Sequence, residues 1–592
     1  MINVTTPSTK RATRARPRSK KALRPAKVPA SGSTPAGTPA PGIGFLNSTS
    51  RQRWLLILLT TVCLVPFVNK AFHIDDPLFL WAAKHIVQHP LDPYGFPVVW
   101  YRSTMPMAEV MKNPPAVPYV LALVGAAAGW SEPVLHLVFL LPALAVIVGV
   151  HQLAREMTPS PLLAAAATLA TPAFLVSATS LMCDVPILAL WLWAIIVWRK
   201  GIREEKAAWL VASGFLIGLS ALTKYFGVSL IPLLFLYSMW QRRRLGRWAL
   251  CFLIPIAMLA GYQFWTGSMY ERGLLTGLTD YVTAARNVGS ASIGGSFLVG
   301  MSFAGGCALP ALLLAPWLWS RRWTIAAGCL AILGTAAVVF AWVRIEIPFP
   351  AEHRTLLTIQ LALFLMGAAS VFSLALADFR RNRDSDSALL LAWVMGTFLF
   401  AAFVNWTVNG RTVLPMIPPV ALLLARRLEL AHELKTYSIA GAITVSLALS
   451  LWVGAGDASL ANSARTAAAE IHNRAIRQQN RILFTGHWGF QYYMESLGGV
   501  ALDPDQVEAT ILDVVVVPRN NSNTEIQLPA SRPDNTVTIK MKTGVTTVGG
   551  QVGAGFYSSL WGPLPYAFAP VPDEKYELYS MKAMMSTSGA KP

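Results

Sequence analysis

The stretch that decides the fold is Pro114 to Trp130, PPAVPYVLALVGAAAGW. It is apolar enough to be taken for a membrane span, and taking it so reverses the side on which everything after it lies. The chain around it has 592 residues, of which 54% are apolar and 13% charged. Its mean hydropathy is +0.47. An ordinary globular chain carries about 25% charged residues, so a soluble multidomain enzyme is excluded and a polytopic α-helical membrane protein is expected. Apolar runs fall at 54–68, 133–153, 161–181, 185–198, 207–222, 225–240, 248–266, 297–318, 323–343, 355–377, 387–404, 412–425 and 437–454. These make about 13 transmembrane helices without 114–130. Several are shorter than the roughly 20 residues that cross a bilayer.

Charge decides the matter. With thirteen spans, 28 of the 49 Lys and Arg fall on the cytoplasmic side: the N-terminal tail, Arg155, RKGIREEK, QRRRLGR, Arg321, Arg322, DFRRNRD, Arg426, Arg427 and Lys435. The outer loops before residue 455 receive only 10: Lys70, Lys84, Arg102, Lys112, Lys224, Arg272, Arg286, Arg344, Arg354 and Arg411. One more span at 114–130 puts every basic loop after the tail outside, against the positive-inside rule. Residues 114–130 are therefore expected to form an outer interfacial helix, which the early Pro114, Pro115 and Pro118 suit. The net charge of +19 then needs no nucleic acid.

Three regions follow. Residues 1–50, rich in Pro, Ala, Ser and Thr with nine Lys and Arg between Lys10 and Lys27, are expected to be a disordered basic cytoplasmic tail. Residues 51–454 are the transmembrane domain, with a large first outer loop at 70–132. Residues 455–592 alternate short apolar runs (RILFTG, DVVVVP, TVTIKM) with turn residues, and a helix-like stretch covers Gly489–Leu497. They are expected to be a small extracytoplasmic, or periplasmic, α/β domain. The five cysteines, Cys63, Cys183, Cys251, Cys307 and Cys329, lie in or beside apolar stretches without C-x-x-C spacing, so neither a disulfide framework nor a zinc site is indicated. The whole is expected to be integral to the plasma (inner) membrane.

The acids stand at the ends of spans rather than in mid-membrane, which suits an enzyme at the interface better than a proton-coupled carrier. FHIDDPLFLWAAKHI carries Asp75 and Asp76 just past the first span, and CDVPILALWLWA carries Asp184 at the outer end of another. Each can be a helix cap and no more. The topology brings them to one face, where a carboxylate pair can hold a divalent cation such as Mg or Mn, with Asp75 and Asp184 as ligands, or act as a base.

In order along the chain come that acidic pair, a loop ending in KNPPAVPYVLAL, the DVPIL context of Asp184, LTKYFGVSLIPLL, and RTVLPMIPP. Together they resemble the GT-C class of membrane glycosyltransferases, closest to the branch of protein O-mannosyltransferases and lipid A aminoarabinose transferases. The resemblance spans about residues 54–425. It implies transfer of a sugar from a polyprenyl-phosphate donor to a protein, lipid or glycan acceptor on the outer face. Asp75 matches the first acid of the family's Asp-Glu pair, Asp76 replaces the Glu, and Asp184 matches the second-loop acid. Lys112 stands near the family's Lys-Pro-Pro position, displaced by Asn113. Such a reaction needs cations at the outer rim to receive the phosphate, and Lys112, Arg102, Lys224, Arg354 and Arg411 are the candidates, with His353 as a further phosphate contact. Trp81, Tyr94, Trp100 and Tyr101 are belt residues or sugar-stacking ones. In GHWGFQYY, Gly486 to Tyr493, a strand-to-helix turn with aromatic packing is expected, not catalysis. Two other classes stay open: a flippase of lipid-linked sugars, which needs no outer acid cluster, and a non-catalytic envelope assembly subunit, which tolerates loss of Asp75.

Overall fold

The computed structural model describes residues 48–581 apart from 101–102, 278–280, 282–289, 431–435, 479, 504–509, 511–512 and 521–531. The expected basic tail, apart from its last three residues, and Arg102 and Tyr101 lie outside the described residues. Among these, seven helices are long and apolar enough to cross a membrane: Glu132–Met157, Asp184–Glu204, Arg247–Met269, Arg321–Val339, Ala351–Asn382, Ser385–Val404 and Thr436–Arg477. The chain is a polytopic helical membrane protein. Its lipid-facing surface is apolar, with Phe264, Leu330 and Ile332 each more than 60% exposed.

The other six runs give shorter or broken helices. Thr49–Leu64 has 16 residues and Ala207–Thr223 has 17. The run 161–181 divides into Pro161–Leu169 and Pro172–Ser177, because Pro172 cannot donate to the preceding turn and the Thr171 hydroxyl instead accepts from the Phe174 amide. Pro310 and Pro316 break 297–318 in the same way, leaving Ile293–Cys307 as its one long helix. Pro114–Trp130 becomes the 13-residue helix Ala116–Ala128.

Helices 293–307 and 354–382 meet through glycine. A Cβ on Gly305 would lie 1.8 Å from the Phe364 carbonyl oxygen, so the two backbones approach as only small residues permit.

A domain boundary at 454 does not appear as a break. The helix Thr436–Gln478 runs straight through it, since hydropathy marks where the apolar run ends and an Ala-rich helical stretch continues beyond. After it, five strands form a mixed sheet in the order Val500–Ala501, Arg481–Phe484, Asp513–Pro518, Glu574–Ser580, Asn535–Ile539. The first three are parallel and the last two join antiparallel. The helix Trp488–Ser496 makes the crossover between Arg481–Phe484 and Val500–Ala501. This sheet region is fastened to the segment from Lys70 to Glu132. Tyr493 takes the Phe72 amide at 2.9 Å and donates to Glu132 at 2.7 Å. A Cβ on Gly489 would sit 2.1 Å from the Phe72 carbonyl oxygen. Residues from Thr49 onward accordingly form one compact unit.

Candidate active site

Asp75 and Asp76 stand where the chain turns into the helix Asp76–Gln88. The turn is tight. The Asp76 amide donates to the His73 carbonyl at 3.1 Å, and Ile74 takes φ +50°, a left-handed conformation that strains a β-branched residue by about 1–3 kcal/mol. Asp75 precedes the helix, yet its side chain makes no capping hydrogen bond. Its Oδ2 accepts instead from Arg411 Nη1 at 3.1 Å. Asp184 is the first residue of its helix, Asp184–Glu204, and is not the cap. Its Oδ1 accepts from Lys224 Nζ at 2.5 Å, and its Oδ2 lies 4.0 Å from the same Arg411 nitrogen. Capping therefore does not account for either acid. Both are turned toward cations brought from distant segments, Lys224 from the end of the helix Ala207–Thr223 and Arg411 from the short turn Gly410–Val413.

The three acids differ in access. The Asp75 side chain keeps about a third of its surface exposed, whereas that of Asp184 keeps 3%. Asp76 is fully buried and saturated with backbone donors, accepting from the amides of His73 at 3.0 Å and Leu181 at 2.9 Å. Burial pushes its carboxyl up to about 7, against the pull of Lys70 and those two amides. It holds the turn to the chain around Leu181, and through it sets the neighbouring Asp75.

Lys112 is fixed by its neighbour. The Asn113 side-chain oxygen accepts from Cys183 Sγ at 3.5 Å, and its carbonyl accepts from the Tyr94 hydroxyl at 2.8 Å. The Lys112 loop is thereby bound to the residue before Asp184. Lys112 Nζ lies 4.8 Å from the Tyr281 ring centroid and, among the described residues, makes no salt bridge. Burial lowers its pKa, with Glu109 opposing. Tyr94 and Trp100 are buried, Trp100 packing on His487 with ring centroids 4.7 Å apart, so both are structural parts of the loop rather than belt residues. His353 ends a short turn and Arg354 begins the helix Arg354–Asn382. Among the described residues neither bonds to Asp75, Asp184, Lys224 or Arg411.

A divalent cation on Asp75 and Asp184 would have to share the two carboxylates with the cations already beside them. The Arg411 guanidinium already stands between the two carboxylates and Lys224 takes the other Asp184 oxygen. The described residues hold no group of three or more His, Cys, Asp or Glu that could hold a metal ion, so an ion such as Mg would take its remaining ligands from water and substrate phosphate.

Beneath the acids lies a network not anticipated from the sequence. Lys70 and Asp457, both fully buried, pair at 2.5 Å, and Lys70 also donates to the Thr179 hydroxyl at 3.2 Å. Asp457 accepts in addition from the hydroxyls of Thr547 and Tyr557. The one signal was Asp457 itself, an acid three residues past the apolar run 437–454 in SLWVGAGDASL, where a buried charge needs a partner.

With this geometry in view, residues 112–265 match the family profile described as dolichyl-phosphate-mannose-protein mannosyltransferase. The chain resembles the GT-C class of membrane glycosyltransferases. The matched segment contains Lys112, Asp184 and Lys224, while Asp75, Asp76 and Arg411 lie outside it. No curated relative matches the chain. Two solved structures are similar to it: ArnT from Cupriavidus metallidurans in the apo state, at 14% identity and a TM-score of 0.39, covering 78% of this chain and 92% of that one, and the same protein bound to undecaprenyl phosphate, at 13% identity and 0.43, covering 80% and 93%.

Proposed function

We propose that this protein transfers a sugar from a polyprenyl-phosphate-linked donor to an acceptor hydroxyl at the outer face of the membrane. The observation that carries the reading is the Asp75–Arg411–Asp184 bridge, in which one guanidinium orders two carboxylates and leaves Asp75 the exposed member. The family matched over residues 112–265, named for a dolichyl-phosphate-mannose donor, supports the donor class. In the reaction the acceptor oxygen bonds to the anomeric carbon as that carbon's bond to the phosphate oxygen breaks. Asp75 takes the hydroxyl proton. The bonding electrons leave with the polyprenyl phosphate, whose added negative charge is received by Lys112, with Arg102 and Arg354 as further cations of the rim. Arg411 and Lys224 hold the acids in place. The acceptor is a protein, lipid or glycan hydroxyl.

The topology that serves this reaction has thirteen crossings, the tail 1–50 in the cytoplasm, the acids outside, and residues 455–592 at the outer surface of the inner membrane. The shorter helices cross as part of the bundle. In detergent, with no second compartment, wild-type protein given a synthetic polyprenyl-phosphate sugar and a hydroxyl acceptor should form a covalent product. Lys112→Ala should lower its turnover. A protein that moves lipid-linked sugars without breaking the glycosidic bond forms no such product, and that result across donors would refute the reading.

A further inference from the structure

We infer that the C-terminal region completes the acid site, with Tyr557 acting as a positioning residue that seats Arg411 between Asp75 and Asp184. The inference rests on the glycosyl-transfer reading and extends it to a part of the chain where the sequence pointed only to packing.

Two sets of contacts carry it. The first holds the Arg411 backbone. The Gly410 amide donates to the Phe556 carbonyl at 2.7 Å, the Ser559 amide donates to the Val408 carbonyl at 2.8 Å, and the Val408 amide donates to the Ser559 hydroxyl at 3.2 Å. Residues 408–410 and 556–559 are thus laced together, and a Cβ on Gly410 would meet the Phe556 ring at 2.5 Å. The second holds the side chain. The guanidinium carbon of Arg411 lies 5.4 Å from the Tyr557 ring centroid, and Nη2 donates to the Tyr557 carbonyl at 3.5 Å. A cation on an aromatic face is attracted by the ring quadrupole while its N–H groups remain free to bond in the ring plane's direction, toward the acids.

Tyr557 is itself anchored. Its hydroxyl donates to Asp457 at 3.0 Å, and Asp457 is fixed by the buried Lys70. The chain of contacts therefore runs from Lys70 after the first helix, through the long helix Thr436–Gln478, to the C-terminal turn and back to Asp75, five residues from where it began. Each of these residues is buried except Asp75 and the rim of Arg411, so the tyrosine ring is a fixed platform. Without it the guanidinium has room to tilt, and Asp75 loses the partner that orients it.

Two substitutions separate this role from simple packing. Tyr557→Phe keeps the ring and gives up the hydroxyl; Tyr557→Leu gives up the ring. Measured per folded protein in detergent, Tyr557→Leu should lower kcat by about tenfold or more, as expected when a reacting group is misplaced, with the donor KM changed less than kcat. Tyr557→Phe should retain turnover within about threefold. Equal losses in both variants, or an unchanged kcat in Tyr557→Leu, would overturn the inference while leaving sugar transfer intact. Should the wild type form no product from any donor, the transfer reading fails, and the seat is still decided by a thermal-unfolding cycle of Arg411→Leu and Tyr557→Leu. Losses in Tm that fall short of additive in the double variant support the seat, and additive losses refute it.

Discussion

At the scale of single residues, what separates the three acids is how each is satisfied. Asp76 has two amide donors and is fully buried; Asp184 has Lys224, with Arg411 at 4.0 Å; Asp75 has Arg411 and keeps about a third of its side chain exposed. Asp76 makes a prediction about stability. Its ordinary pKa near 3.8 is raised to about 7 in the folded protein. Between those values the folded chain holds a proton that the unfolded chain has released, so this carboxyl contributes less to stability as pH rises through the window. Asp76→Asn cannot titrate. The excess Tm of wild type over that variant should shrink from pH 5 to pH 7, and an excess that stays level would contradict the account. Asp75 and Asp184 were legible in the sequence because an acid at the end of an apolar run is uncommon and needs a reason. Arg411 was legible as one of several outer cations, but its choice of partner was not, since Asp75 lies 336 residues away. Lys70 looked like another loop cation until Asp457, 387 residues on, was found against it.

At the scale of elements, hydropathy located the apolar runs and proline decided their shape. Seven runs became helices of spanning length; three of the other six were cut by Pro172, by Pro310 and Pro316, and by the prolines of RTVLPMIPP, and the remaining three gave the short helices Thr49–Leu64, Ala207–Thr223 and Leu230–Arg242. The strands Arg481–Phe484 and Asp513–Pro518 were legible as apolar runs between turn residues. Glu574–Ser580, the strand that joins Asp513–Pro518 to Asn535–Ile539, was not, because EKYELYS alternates charged and aromatic residues without an apolar run. Close helix contacts were also invisible to composition. Gly305→Ala places a methyl group against the Phe364 carbonyl, and overpacking of this kind costs about 1–3 kcal/mol. The variant should unfold at lower temperature in detergent than wild type. Gly328→Ala, on a helix where the added Cβ meets nothing within 4 Å, should not. Equal Tm values for the two would contradict the packing described.

For the whole molecule, the basic residues of the loops expected on the inner side fall into two groups. Some face solvent, as Arg243 and Arg244 do. Some are bound within the bundle: Arg199, fully buried, pairs with Glu156 at 3.1 Å and with Asp386 at 2.8 Å, and Arg426 pairs with Asp378 at 2.8 Å. Topology can be checked without reference to activity. An epitope inserted at Arg243 should be reached only after the membrane is opened, and one at Gly498, an exposed turn, should be reached in intact spheroplasts. Both on one side would refute an odd number of crossings between them.

The central claim is that Asp75, ordered by Arg411, is the base of a glycosyl transfer. Its most direct test is a single-turnover reaction in detergent with a synthetic polyprenyl-phosphate sugar, comparing wild type with Asp75→Asn at equal amounts of folded protein. The substitution keeps the side chain's shape and removes its basicity. General-base catalysis typically contributes about 10²-fold or more, so the variant should form product at least about a hundredfold more slowly while binding donor normally. Product formation by Asp75→Asn within about tenfold of wild type would contradict the claim.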